Sequence, residues 1–361
     1  DIQNICLQCG TCNTVCGGKL DIAGMILKLR TKFAQEDGLN PVHKFCLDTV
    51  ADRHLFHSML RIASVAQGMI TKGQPMIRHL PMFLSGLTAG RSLPSVAPQP
   101  FRDILPTIKQ DVPNPKGKIA IFTGCLLDFV YVDIATDVVK ALNMAGYIVE
   151  MPLGQACCGA PATYMGDVEN AKKAAEMNLN AMEAEKYDYI VSACPTCTHA
   201  LRDYVDFFKD DPEMLKKAEE LRSKTFDFCK LVSMLGGLPD TGDGVPMKVT
   251  YHDSCHLNRY LGVTKEQREL LKATKGVELI EMHDCDKCCG FGGSYSVKFP
   301  EMSAPILEEK INNIVASGAD VVAVDCPGCL LQIRGGLDAR GLNNIQVKHT
   351  AQIVVEKREK K

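Results

Sequence analysis

The chain has 361 residues, 46% of them hydrophobic and 23% charged, which is enough for two or three compact domains and excludes a disordered or fibrous polypeptide. Its 41 Lys and Arg stand against 43 Asp and Glu, a formal charge of −2, with no Trp and only 6% aromatic residues, so neither an overall field nor a base-stacking surface favours nucleic acid. Cysteine is the abnormal number: there are 17 in a chain large enough to fold without disulfide staples, which points to a reducing, cytoplasmic compartment and thiolates kept for metal.

Taken in chain order, the first feature is Cys6-x2-Cys9-x2-Cys12-x3-Cys16, the ferredoxin-type run for a [4Fe–4S] cubane cluster. Three closely spaced thiolates wrap one face of such a core, and the fourth usually comes from elsewhere. Only one run is present, and Gly17 stands where proline is usual. Two readings stay open. Cys16, or another residue such as Cys46, completes a single cluster; or the chain, which opens on Asp1 rather than Met, is the carboxyl part of a longer polypeptide with a first Cys run upstream. The second is favoured, and it would make two cubanes. Structural zinc is the alternative occupant. Ile22, Met25, Ile26, Leu29 and Phe33 then recur at helical spacing, so residues 1–70 read as a helical, ferredoxin-like domain.

Residues 71–116 hold eight of the 18 prolines and can form neither a long helix nor a central strand. They read as an extended connector lying over a neighbouring surface. The longest apolar stretches, such as residues 80–84, are far too short to span a bilayer, and there is no secretory signal.

Residues 117–361 repeat themselves at an offset that drifts from 130 to 132. A buried strand ends in Cys125, and again in Cys255. A helix and a short strand follow (residues 146–151 and 276–282), then Cys157-Cys158-Gly159 against Cys288-Cys289-Gly290. A further helix leads to a strand entering Cys194-Pro195-Thr196-Cys197, matched by Cys326-Pro327-Gly328-Cys329. Residues 117–235 and 248–361 are thus two copies of one domain, joined by a turn-rich linker at 236–247. Strands alternating with helices imply α/β units with mostly parallel sheets, whose ligands collect beyond the carboxyl ends of the strands. Asp210–Lys224 reads as a solvated helix face or helical hairpin.

Each copy carries five cysteines: Cys125, Cys157, Cys158, Cys194 and Cys197, then Cys255, Cys288, Cys289, Cys326 and Cys329. Soft thiolates select zinc, copper(I) or iron–sulfur. Five per copy, two of them adjacent, fit one tetrahedral zinc poorly and pair unevenly as disulfides, so a multi-iron core is favoured. Cys46 and Cys229 read as small buried hydrophobes. Cys285, three residues before Cys288, is not assigned as a ligand. His252 and His256 flank Cys255; an imidazole there donates to a cluster sulfur or delivers a proton, or, the favoured reading, is a satisfied polar group at a strand end. Gly290-Phe291-Gly292-Gly293 lacks G-x-G-x-x-G and reads as a tight turn. There is no Walker loop, flavin fingerprint or Ser/His/Asp arrangement.

The doubled pattern resembles the cysteine-rich CCG domain found in the B-type and D-type polypeptides of heterodisulfide reductase and in the iron–sulfur subunits of lactate and glycolate oxidases. By that resemblance each set of five cysteines would hold a noncubane [4Fe–4S] cluster. A ferredoxin-like segment ahead of two CCG domains is similar to the D-type reductase polypeptide and to the oxidase type. Residues 91–102 and 157–167 look most like the lactate-utilisation group. The resemblance implies an iron–sulfur electron-transfer subunit of a 2-hydroxy acid oxidising system, anaerobic or respiratory. Its partner would be a flavoprotein or other electron donor, with a quinone-linked membrane subunit as a further one. The alternatives are a heterodisulfide reductase-like catalytic chain that cleaves a disulfide at a noncubane cluster and, from another class, a zinc-stabilised scaffold.

Overall fold

The computed structural model describes residues 3–71, 76–77, 92–239 and 244–359. Four helices come first: α1 (Thr11–Val15), α2 (Ile22–Glu36), α3 (Pro41–Ala51) and α4 (Arg53–Thr71). Asp21 caps α2 by accepting from the Gly24 amide, and Asn40 caps α3 by accepting from the Val42 amide, with Pro41 in the first helical turn. The helical spacing of Ile22 to Phe33 is realised in α2, but its stripe does not point inward. Met25, Leu29 and Phe33 are 47%, 47% and 42% exposed, because α2 meets the body of the protein on another face, against the helix Ala160–Met165.

Met76–Ile77 (β1) pairs antiparallel with Leu93–Pro94 (β2). The first lobe is a parallel sheet of β3 (Lys118–Ile121), β4 (Ile148–Glu150), β5 (Tyr189–Ser192) and β6 (Thr225–Asp227), in the order β4-β3-β5-β6. The second is built from β7 (Met247–His252), β8 (Val277–Leu279), β9 (Val321–Val324) and β10 (Gln346–Lys348), in the order β8-β7-β9-β10. The two orders are the same, and so is the register: Ile119 faces Tyr189 as Val249 faces Val321. The central strands are continuous apolar runs because helices cover both faces; Ile119, Ala120, Ile121, Val322, Ala323 and Val324 are fully buried. The fourth strands, β6 and β10, carry no such run and were not expected.

Every Cys motif of the two lobes sits where a strand hands over to a helix. Cys194 and Cys326 are the residues before the helices Pro195–Asp203 and Pro327–Ala339, each of which opens on its proline, the position where a missing N–H costs nothing. The expected helix in 210–224 is Pro212–Lys224. The lobes share one core: Val138, Val191 and Phe228 of the first lobe pack in one apolar cluster with Val324, Ile333 and Val354 of the second.

The Pro-rich connector lies over both lobes where it is described. The Ser92 amide donates to Gly335 O at 3.2 Å, the Ala97 amide donates to Phe129 O at 2.7 Å, and Phe101 is fully buried. The rest of the expected connector at 72–75 and 78–91, with Pro75, Pro81, the stretch 80–84 and Arg91, lies outside the described residues, as does 240–243 of the linker. Among the described residues no helix is long and apolar enough to cross a membrane.

Candidate metal centre

The parallel sheets bring the repeated cysteines to the carboxyl ends of their strands, and the sulfurs there follow one another in file, each perturbing its neighbour's ionisation. In the first lobe the thiols hydrogen-bond in the order Cys125, Cys157, Cys158, Cys197, Cys194. The second repeats it as Cys255, Cys288, Cys289, Cys329, Cys326. The two files meet, because Cys194 contacts Cys326 across the lobe boundary. Cys157, Cys158, Cys194, Cys197, Cys289, Cys326 and Cys329 are buried, and Cys125, Cys255 and Cys288 are partly so.

Local backbone geometry makes room for this crowding. Gly124 has φ +58°, and a Cβ there would lie 3.0 Å from the Cys197 sulfur. The turn after Cys289 needs left-handed Gly290, Gly292 and Gly293, and it receives the N-terminal segment: a Cβ on Gly292 would lie 2.5 Å from Leu7. The expected tight turn is therefore also a docking surface.

The electrostatics of the array call for cations. Cys125, Cys197, Cys255 and Cys329 are pushed well above the usual thiol range, each by its hydrogen bond to a neighbouring cysteine and then by burial. Cys158 is brought down to about 6 by the hydrogen bonds from Cys157 and Cys197, and Cys289 is lowered by Cys288 and Cys329. Neighbouring thiols thus oppose one another's ionisation, and a bound metal, which deprotonates thiols outright, would relieve that opposition. A single zinc needs sulfurs converging at about 2.3 Å from one point. Among the described residues the one trio of potential ligand atoms within 4.8 Å of each other is His252, Cys289 and Cys329, one nitrogen and two sulfurs, so no three sulfurs of either file converge on one point. Five soft donors strung along a buried edge fit a polynuclear iron–sulfur core.

The N-terminal run is clamped from both lobes. Arg30 donates to Gln3 O at 2.6 Å, to Cys6 O at 2.5 Å and to Tyr164 O of the first lobe at 2.9 Å. Arg259 of the second lobe donates to Cys9 O at 3.3 Å, and the Tyr260 hydroxyl donates to Gln8 O at 3.0 Å. Tyr260 also leaves space only for a glycine at left-handed Gly10, where a Cβ would meet its ring at 3.1 Å. The Cys9 thiol reaches Cys288 and is pushed up by that hydrogen bond and by burial. Cys6 accepts from the Gln8 amide at 3.4 Å, Cys12 lies within α1, and Cys16 follows its end. No three of these four sulfurs lie within 4.8 Å of each other among the described residues.

Sequence reasoning missed Arg30, Tyr164, Arg259 and Tyr260, and nothing in their sequence neighbourhood marks them, because they act on carbonyls or rings far away in the chain. Cys46 corrects an expectation: it is exposed on α3, not a buried hydrophobe, since α3 packs on the helix Val168–Met182 through a different face. Cys229 is fully buried, as expected. Cys285 is turned to the Asp253 carboxylate, 3.3 Å away, and its thiol is pushed up to about 11 by burial and by Asp253. His256 is satisfied: Nε2 meets the Tyr164 hydroxyl at 2.7 Å, Nδ1 lies 3.5 Å from the Cys255 sulfur, and its ring stacks on Tyr260. His252 is not. It is fully buried, neither ring nitrogen finds a well-formed hydrogen bond among the described residues, and burial brings its pKa down to about 3, so the ring is neutral.

A duplicated parallel α/β unit that lines up five cysteines per copy at adjoining strand ends defines a cysteine-rich, metal-binding class. The CCG cysteine-rich domain family matches residues 119–202 and 249–334. "Lactate utilization protein A" of Shouchella clausii is 39% identical over 240 residues, covering 66% of this chain and 99% of that protein. "Probable glycolate oxidase iron-sulfur subunit" of Bacillus subtilis is 30% identical over 365 residues, covering 98% and 82%. A hypothetical protein from Helicobacter pylori shares the fold in its crystal structure, with a TM-score of 0.50, 11% identity and coverage of 72% of this chain; the match spans 54% of that longer one. The chain belongs to the CCG cysteine-rich domain family.

Proposed function

We propose that the chain is the iron–sulfur electron-transfer subunit of a system that oxidises lactate or a related 2-hydroxy acid, with the substrate chemistry on a partner flavoprotein. The observation that carries this reading is the file of mutually perturbing thiols that runs from Cys9 through Cys288 and the second lobe to Cys194 and the first. Cys125, Cys157, Cys158, Cys194 and Cys197 would hold one noncubane [4Fe–4S] cluster, and Cys255, Cys288, Cys289, Cys326 and Cys329 a second. Cys6, Cys9, Cys12 and Cys16 would serve a cubane. Bound there, iron–sulfur clusters would supply one-electron steps. The chain's own residues do the rest. Arg259 and Tyr260 fix the N-terminal run on the second lobe and Arg30 ties it to the first, the strand ends shield most of the thiols from water, and the shared core holds the two files side by side.

The names of the similar proteins support a 2-hydroxy acid as the source of electrons and a multi-subunit assembly. The file would then be a conduit between a flavoprotein and an acceptor, with a quinone-linked membrane subunit as the candidate recipient. Anaerobically purified protein should be brown, with about 12 iron and matching acid-labile sulfide per chain for three [4Fe–4S] sites. Cys158→Ser and Cys289→Ser should each remove one noncubane EPR signal and spare the other. A lactate-oxidising flavoprotein should reduce the chain. Colourless protein holding zinc overturns the reading, and disulfide reduction by the isolated chain without electron uptake from a flavoprotein replaces it with the reductase alternative.

A further inference from the structure

The two lobes match in fold, register and sulfur order, yet they differ at the end of the first strand of each. His252 closes β7, and 130 positions earlier Phe122 follows β3. Both are fully buried. A ring nitrogen of His252 lies within 4.8 Å of the sulfurs of both Cys289 and Cys329. Phe122 occupies the corresponding place: the point 3.0 Å from the Cys197 sulfur where a Gly124 Cβ would sit is 3.5 Å from the Phe122 ring. One lobe therefore presents an apolar edge to its sulfurs, and the other an imidazole whose nitrogens lack well-formed partners. A buried N–H without an acceptor is costly, and the sulfurs of Cys289 and Cys329 are acceptors in reach, beside the Cys285 carbonyl. The buried Lys310 ammonium, which donates to Asp284 O at 2.6 Å and Cys285 O at 3.2 Å, adds positive charge on the same side.

We propose that His252 makes the two cysteine sites electrochemically unequal, by donating its ring N–H to the sulfur face at Cys289 and Cys329 so that the second-lobe site is reduced before the first. The inference rests on the iron–sulfur reading above. An N–H aimed at cluster sulfur stabilises the added electron and raises the reduction potential, whereas the Phe122 edge offers no such donor. The second-lobe site, which contacts Cys9, then acts as the electron-collecting station, and the first-lobe site lies uphill from it.

The test is an anaerobic redox titration of the full holoprotein followed by EPR. In His252→Phe the second-lobe signal should need at least a tenfold shift of its reduction equilibrium, about 59 mV for a one-electron couple, to lower potential, while the first-lobe signal stays in place. His252→Gln, which keeps an N–H, should retain most of the wild-type value, and Phe122→His should move the first-lobe signal upward. Electron–nuclear double resonance on the wild type should find a deuterium-exchangeable proton at the second-lobe signal that His252→Phe loses. If His252→Phe loses iron, Phe122→His and the resonance measurement on the wild type carry the test. Unmoved midpoints in both lobes overturn the proposal, as does a strong nitrogen coupling without the exchangeable proton, which would make His252 an iron ligand. Wild-type protein without iron or signals overturns the iron–sulfur reading itself, so the two failures are distinguishable.

Discussion

The thiols of Cys9 in the N-terminal run and Cys288 in the second lobe lie near enough that Cys288 pushes the Cys9 pKa up. The run therefore joins the array at one defined point, in the second lobe and not the first. Arg259 holds that junction, bridging Cys9 O and, at 2.7 Å, Asp286 O with a guanidinium that is only 5% exposed.

Replacing Arg259 by Ala removes both bonds, one of them partly buried and the other exposed to solvent, at a cost of about 1 kcal/mol. The expected outcome is an N-terminal segment cleaved faster by protease, and slower electron passage from the N-terminal site to the second lobe in stopped-flow absorbance. Iron content should hold. An unchanged rate would place the junction elsewhere.

Gly124→Ala tests the crowding in the first lobe. Its φ of +58° costs a non-glycine residue about 1–2 kcal/mol, and the new methyl group would sit 3.0 Å from the Cys197 sulfur. First-lobe EPR intensity and the associated iron should fall, with the second lobe untouched, because Ser254 fills the equivalent place there.

Much of this architecture was legible in the sequence because it is duplicated. Two strands ending in Cys125 and Cys255 and two Cys-Pro-x-Cys turns specify matching α/β lobes. The fourth strands were not legible: Thr225-Phe226-Asp227 and Gln346-Val347-Lys348 are short edge segments without the apolar run that marks a central strand. Nor was the meeting of Cys194 with Cys326, since a motif gives the sulfurs of one lobe but not the packing of one lobe on the other. Cys46 shows the converse error, in which a residue type's average burial was no guide to a helix that buries another face.

His57 sets a pH dependence away from the cysteines. Burial, and then the positive charge of Arg102, bring its pKa down to about 3, against about 6.5 unfolded. Between those values the unfolded chain binds the extra proton, so this contribution is complete above pH 6.5 and is lost progressively as the pH falls towards 3. The unfolding midpoint should drop between pH 7 and pH 5, and His57→Phe should flatten that drop.

Arg102 and Asp128 form a buried pair, 9% and 0% exposed, with Nε donating to Oδ2 at 2.7 Å. Burial pushes the Asp128 carboxyl up even with Arg102 alongside. Arg102→Met should therefore cost about 3–5 kcal/mol by stranding a buried carboxylate, and adding Asp128→Leu should recover much of it. Urea unfolding of the single and double variants reads the difference.

The contact between Cys194 and Cys326 has a practical sequel once iron is gone. Neighbouring thiols oxidise together, so air-stripped protein should acquire a cystine that staples one lobe to the other. Rebuilding the cofactors would then begin with a strong dithiol reductant, and a non-reducing peptide map of aged samples would find those two half-cystines joined.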